Sequence, residues 1–290
     1  MEYAALADLK VSRIIFGCEA LGGTDWGKVD VPAVQAAVAH AWDRGINTFD
    51  VADVYGLGRA ETALAEALGP RRHDAVIITK FGVNWRQGKN GGRAETFRDA
   101  SPAHAKKAAE NSLRRLKIDC IPLYLVHWPD PRTPLEDTLA ALEELKAAGK
   151  IRRYGLSNFP AAQISRGLAA AEFAYSLINN GEAEKDLLAA GRLQGVATLA
   201  YGVLAQGLLT GKYDAGTKTV SFTTTHLSEY AVVSFPFTDV SEDAWYYGDV
   251  AYVYTHNLFN GTFDTAFSPA ETMTRGMLVT VLWRMAGKPV

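Results

Sequence analysis

From residue 10 to about 213, short apolar runs alternate with longer segments whose apolar residues recur at helical spacing. The runs are "SRIIFGC", "INTFDVA", "AVIITKFG", "CIPLYLVHW", "IRRYGLSNF", "FAYSLIN" and "GVATLAYGVL". They are nearly continuous in Val, Ile, Leu, Phe and Tyr and end in polar residues, as strands buried on both faces of a parallel sheet do. The intervening segments read as helices. In "DVPAVQAAVAHAWDRG", Asp30 can cap, Pro32 suits the first turn, Val34, Val38, Ala41 and Trp42 share a face, and Gly45 stops the helix. Ser101 and Pro102 open a second helix, closed by Leu113 and Leu116. Thr133 and Glu136 around Pro134 have the spacing of a capping box for a third. Repeating strand–helix units predict an α/β fold, either a parallel barrel or a doubly wound sheet. No strand runs into G-x-G-x-x-G, which weakens the dinucleotide-fold alternative.

The pattern changes near residue 214. "DAGTKTVSFTTTHLSEYAVVS" is rich in Thr and Ser and has no helical period, and residues 235–290 crowd aromatics such as Trp245, Tyr246, Tyr247, Tyr252 and Tyr254. Three parts are expected: a barrel over 1–213, a linker or substitute strand over 214–234, and a small helical unit over 235–290.

Composition narrows the partners. The 290 residues carry a net charge of −2 with 48% hydrophobic and 21% charged residues, an ordinary globular composition with no basic excess for nucleic acid. Cys18 and Cys120 each lie in an apolar run and read as free thiols, and no residue spacing suggests a metal site. The start "MEYAALADLKVSRIIFG" has no signal-peptide pattern, and no apolar run approaches the roughly 20 residues of a membrane span. A cytoplasmic protein with no membrane partner is expected.

Four chemically active residues fall at successive predicted strand ends. Asp50 ends the second strand and Tyr55 follows in its loop; Lys80 ends the third; His127 ends the fourth. In a parallel barrel these ends share the face where chemistry collects. A phenol has a reference pKa of about 10, and a nearby ammonium lowers it. Lys80 can be that cation, Asp50 can hold Lys80, and His127 can hydrogen-bond the oxygen of a bound carbonyl. The set suits protonation of a carbonyl oxygen. Singly, each residue has a plainer reading: Asp50 and Asp53 as turn formers, Tyr55 as a barrel cap, Lys80 reaching solvent, His127 in the core.

"GINTFDVADVYG", "IITKFG", "SLRRLKIDCIPLYLVHWPD", "GKIRRYGLSNF" and "LAYGVLAQGLLTGKY" resemble, in order and spacing, the motifs of the aldo-keto reductase family over about residues 10–213. The resemblance implies a (β/α)8 TIM barrel that reduces small aldehydes or ketones with NADP(H) and without metal. It implies a catalytic set of Asp50, Tyr55, Lys80 and His127, with Tyr55 as proton donor. It also implies cofactor contacts from Ser157, Asn158, Tyr201, Leu204, Gln206 and Gly207, and from position 172, where this chain has Glu172 in place of the family's glutamine. Trp26 and Trp128 are expected beside the substrate. After "GLLTGKY" the family's last strand and helix have no counterpart, so the barrel is expected to lack its final unit. Thr219–Thr225 or Tyr230–Phe235 is expected to fill the gap.

Residues of about 237–287 resemble one S-layer homology module through "F-x-DV…WY…G…F-x-P…TR". That likeness implies a small helix–loop–helix unit, a cell-wall polysaccharide partner, and Arg275 as the residue that binds it. An NADP(H)-dependent carbonyl reductase, in impaired form or not, is thus set beside a second reading. In the second reading the chain is a non-catalytic surface or wall-binding protein with a remnant barrel, or a chimeric reading frame.

Overall fold

The computed structural model describes residues 1–23, 30–86, 94–176, 179, 181–205, 213–214, 219–220, 238–241, 250, 262 and 266–269. By internal contact the chain divides into two units, Met1–His226 and Leu227–Val290.

The first unit opens with an antiparallel hairpin of β1 (Tyr3–Leu6) and β2 (Leu9–Ser12). After β3 (Phe16–Gly17) come α1 (Val31–Asp43), β4 (Thr48–Asp50), α2 (Arg59–Leu68) and β5 (Val76–Phe81). A second hairpin, β6 (Val83–Arg86) with β7 (Glu95–Arg98), precedes α3 (Pro102–Leu116) and β8 (Ile121–Val126). The chain continues through α4 (Leu135–Ala147), β9 (Ile151–Ser157), β10 (Ala170–Ala174), α5 (Glu182–Gln194) and β11 (Ala197–Tyr201). It then forms the short hairpin β12 (Tyr213–Asp214) and β13 (Thr219–Val220).

Seven strands form one parallel sheet in the order β11-β10-β9-β8-β5-β4-β3. Neighbours in space are neighbours in the strand–helix series, as in a barrel and unlike the strand reversal of a doubly wound sheet. Among the described residues no strand bridges β11 to β3, so the sheet is an incomplete barrel. The expectation that Thr219–Thr225 closes it is corrected in part. Thr219 and Val220 pair antiparallel with Asp214 and Tyr213 in a separate sheet. The rest of that segment, and Tyr230–Phe235, lie outside the described residues.

The helix starts follow local chemistry. The Asp30 carboxylate accepts from Ala33 N at 3.1 Å, and Ser101 Oγ accepts from His104 N at 3.3 Å. The Thr133–Glu136 capping box does not form. Pro134 is the N-cap of α4, and Thr133 Oγ1 donates instead to Asp130 Oδ2 at 2.9 Å. Asp130 also takes Ala100 N and Arg132 N, so it draws the hydroxyl away from the helix.

Strand alternation separates two cores. Ile77 and Phe81 of β5, Tyr124 and Val126 of β8 and Phe49 of β4 face outward to α1–α4. Val76, Ile78, Leu123, Leu125 and Ala170 face inward and meet Leu6, Leu9 and Val11 of the first hairpin. That hairpin, absent from the sequence reading, fills the inner core at the N-terminal end of the strands. Gly155 in β9 serves this crowded interior: a Cβ there would lie 2.2 Å from Ala170 O and 2.9 Å from Leu125 Cδ2.

The second unit is described only at a few positions. Asp239 accepts from Phe267 N at 2.9 Å and Ser268 N at 2.7 Å, and Ser268 Oγ meets Thr262 Oγ1 at 2.6 Å. Arg275 lies outside the described residues.

Candidate active site

Lys80 follows Val76 and Ile78 at every second position of β5, so the alternation that packs those two inward also sends its ammonium inward. It sits past the end of the apolar inner core, at the C-terminal rim. Its side chain is 0% exposed. Nζ donates to Asp50 Oδ1 from the tip of β4, lies 3.3 Å from Val51 O, and lies 3.4 Å from Glu172 Oε1 of β10. Burial alone would push the lysine pKa down, but Asp50, Glu172 and Tyr55 together raise it above its ordinary value. Lys80 is a fixed ammonium.

Backbone bonds pin the strand tips: Cys18 N to Asp50 O at 2.8 Å, Asp53 N to Lys80 O at 3.1 Å, and His127 N to Phe81 O at 2.7 Å. Tyr55 begins the turn Tyr55–Gly58. Its next residue, Gly56, has φ +58°, and a Cβ there would lie 2.3 Å from Gly22 O. Only glycine permits that contact, which holds the Tyr55 loop against the segment after β3.

The Tyr55 ring centroid is 5.6 Å from Lys80 Nζ. His127 meets the same ring edge-on, with centroids 5.7 Å apart and planes at 84°. The four residues predicted from the strand ends therefore come together. One expectation is corrected: the phenol pKa is raised, not lowered. Burial outweighs the pull of Lys80, whose charge is shared with Asp50 and Glu172. Tyr55 is a neutral phenol that keeps its proton. His127 is held neutral, its pKa driven down to about 3 by burial and then by the charges of Lys80 and Arg98. Its Nδ1 is buried without a hydrogen-bond partner.

A second group of polar residues continues along the rim. Asn158, at φ +64°, gives Nδ2 to His127 O at 3.0 Å and to Ser157 Oγ at 3.1 Å, and its Oδ1 accepts from Tyr201 Oη at 2.7 Å. Ser157 Oγ donates to Glu172 Oε1 at 3.4 Å. Glu172 stands opposite both Ser157 of β9 and Leu199 of β11. The apolar run "FAYSLIN" begins at Phe173, but the strand starts at Ala170, so Glu172 lies in mid-strand. It is 6% exposed, its Oε2 has no partner, and its pKa is raised to about 8 by burial and by Asp50, against Lys80.

These residues fit the nicotinamide end of a dinucleotide. Tyr201 is 39% exposed, with its phenol tethered to Asn158, so a flat ring face is open at the rim. The unpartnered Glu172 Oε2 and the Ser157 hydroxyl supply polar atoms beside it. Leu204 is exposed in the following turn, and Ala205 N bonds to Gly202 O at 2.8 Å. Gln206, Gly207 and Trp26 lie outside the described residues. Trp128 stacks on His127 at 6.4 Å and carries the Arg98 guanidinium at 4.6 Å. Among the described residues no group of three or more His, Cys, Asp or Glu could hold a metal, and no helix is long and apolar enough to cross a membrane.

Comparison with known proteins agrees with this geometry. The aldo-keto reductase YhdN of Bacillus subtilis is 38% identical over 221 residues, covering 73% of this chain and 65% of its own length. The NADH-specific methylglyoxal reductase of Escherichia coli is 34% identical over 219 residues, covering 70% of this chain and 67% of its own. Among solved structures, the glycerol dehydrogenase of Gluconobacter oxydans superposes with a TM-score of 0.67 at 36% identity, covering 76% of this chain and 67% of that one. This chain thus spans about two thirds of such relatives. The match to the aldo/keto reductase family spans residues 13–257, so it crosses the boundary expected at 213 and takes in part of the segment expected to be a separate S-layer homology module, for which the comparisons give no support. With that match over most of its length, and with this sheet and rim, the chain belongs to the aldo/keto reductase family.

Proposed function

We propose that the chain is a nicotinamide-dependent carbonyl reductase and alcohol dehydrogenase acting on small aldehydes or ketones, with NADP(H) as cofactor. The observation that carries this is the packing of one neutral phenol, Tyr55, against a buried ammonium and a neutral imidazole at the C-terminal rim. A bound reduced nicotinamide supplies a hydride to the carbonyl carbon. The chain's own residues manage the proton. Tyr55 Oη gives its proton to the carbonyl oxygen and becomes a phenolate. Lys80 stabilises that phenolate through space, and Asp50 fixes Lys80. The neutral His127 can hydrogen-bond the same oxygen without competing for its charge. Tyr201 offers the ring face for the nicotinamide, and Ser157, Asn158 and Glu172 line its polar edge. In the reverse direction the phenolate takes the proton of an alcohol.

Two of the named relatives are a methylglyoxal reductase, NADH-specific, and a glycerol dehydrogenase, so the test includes both nucleotides. The experiment is titration of NADPH and of NADH with fluorescence readout, followed by turnover on a panel of small aldehydes, ketones and glycerol. Quenching with NADPH and consumption of at least one carbonyl are expected. Neither nucleotide binding at millimolar concentration would defeat the reading and leave the remnant-barrel alternative. The wall-polysaccharide role of the C-terminal segment rests on sequence resemblance and on Arg275, and adds nothing to the carbonyl-reductase reading.

A further inference from the structure

One buried ammonium at the rim faces two carboxyl groups. Asp50 reaches Lys80 from β4 and Glu172 reaches it from β10, so the three side chains cross the interior of the open barrel. If both carboxyls were ionised the cluster would hold a net negative charge in a site where Lys80 is fully buried. Uncompensated buried charge is costly, and groups in that position shed it by taking a proton. Geometry indicates which carboxyl takes it. Asp50 accepts directly from Nζ, and its side chain is 19% exposed, so water can solvate its charge. Glu172 is more deeply buried, lies 3.4 Å from Nζ, and has one oxygen that no donor reaches. An ionised carboxylate with a buried oxygen that no donor reaches is unfavourable; a carboxylic acid can donate its O–H, and the Asp50 carboxylate is within hydrogen-bonding reach of Glu172.

We propose that Glu172 works as an un-ionised carboxylic acid, and that its ionisation ties up Lys80 and turns down proton transfer from Tyr55. Besides lining the nicotinamide edge, Glu172 acts on the proton transfer through Lys80; the rate effect rests on the carbonyl-reductase reading, whereas the proton on Glu172 does not. The neighbours that set its titration are on every side. Asp50 of β4 disfavours its ionisation and Lys80 of β5 favours it, with burial as the largest influence. Tyr201 of β11 and Tyr55 each feel its charge, and Glu19 acts on both phenols in the same sense. Ser157 of β9 contributes a hydroxyl that does not titrate. The sign follows. Below about 8 Glu172 is neutral and Lys80 answers to Asp50 and Tyr55. Above it a second anion sits on Lys80, and the Tyr55 phenol becomes a weaker acid.

The test is infrared difference spectroscopy of the full chain from pH 6 to 10, wild type against Glu172→Gln. A carboxylic-acid C=O band lost in E172Q, and fading in the wild type as pH rises through about 8, is expected. Asp53, also buried with a raised pKa, contributes a separate band that E172Q retains. The second readout is kcat for carbonyl reduction against pH. The wild type should fall about tenfold between pH 7 and 9, as a single required proton predicts, and E172Q should hold its rate to higher pH. The absence of an E172Q-sensitive band at pH 6 would overturn the proposal, as would coincident kcat profiles. Should no carbonyl substrate turn over, the carbonyl-reductase reading falls, and the band alone upholds or overturns the proton on Glu172.

Discussion

Thr79 and Lys80 are adjacent on β5, and each side chain ends against a buried glutamate on an opposite face of the sheet. Outward, Thr79 Oγ1 donates to Glu61 Oε1 of α2 at 2.6 Å, while Arg115 Nε of α3 donates to Glu61 Oε2 at 2.6 Å. Both Glu61 oxygens are used, and the cluster joins two helices to the sheet. Inward, Lys80 meets Asp50 and Glu172, and polar atoms are left over: Glu172 Oε2 and, nearby, His127 Nδ1. The residues are of similar kind and burial, so buried charge by itself does not mark a site. The difference lies in access, since the outer face also keeps unpartnered oxygens, those of Asp53 beside Glu61. The outer glutamate is closed off by its partners under α2 and α3. The inner cluster stands at the strand ends beside half-exposed Tyr201, with hydrogen-bonding capacity unspent.

The sharpest way to break this comparison is Tyr55→Phe. It should lower carbonyl turnover by about 10²–10⁴-fold while leaving nucleotide binding and the melting temperature near wild type, because only a proton donor is removed. Unchanged turnover would take Tyr55 out of the chemistry and make the inner cluster as structural as the outer one. Arg115→Met tests the other face. It strands Glu61 without its cation and should cost about 3–5 kcal/mol in urea unfolding, with kcat per folded molecule kept. A variant of full stability, or one that is stable but inactive, would erase the division of labour between the faces.

Asp53 gives a smaller and more selective effect. Neither of its carboxylate oxygens has a hydrogen-bond partner, and burial, then Glu61, hold its pKa well above the ordinary value. As pH rises above about 4 the unfolded chain releases this proton while the folded chain keeps it. Wild-type stability is therefore lost over that range. Asp53→Asn lacks the titration, so its stability relative to wild type should grow from pH 4 upward, by at most about 1.4 kcal/mol per pH unit. A pH-independent difference between the two urea midpoints would show that Asp53 is ionised in the fold. The smallest effect is expected at Ser101→Ala, which removes the cap of α3 and should cost about 1 kcal/mol.

Much of the site was legible because it depends on local patterns. A run such as "VIITKFG" is apolar until its final polar residue, and the strand period fixes which face that residue takes. Asp50, Lys80 and His127 were found that way, and Tyr55 by its place in the loop. Glu172 was placed by family likeness alone, since "AAEFA" is too rich in alanine to signal a strand. Asp53 read as a turn former, yet it is 1% exposed. Nothing in its own sequence tells that α2 and α3 cover it. The first hairpin was missed because its strands are four residues each, and their meaning lies in the inner core they fill.

The sequence alone determined the order of strands and helices, the caps at Asp30 and Ser101, and the arrival of a carboxylate, an ammonium and an imidazole at three successive strand ends. These follow from periodicities of two and 3.6 residues that act over a few positions. Only the tertiary structure decided the charges those groups carry. Whether Tyr55 keeps its proton, whether His127 stays neutral, and which of two carboxyls shares Lys80 depend on burial and on partners many residues away, such as Asp50 and Glu172 across the sheet. Desolvation and through-space charge are properties of the assembled interior, and no stretch of chain contains them.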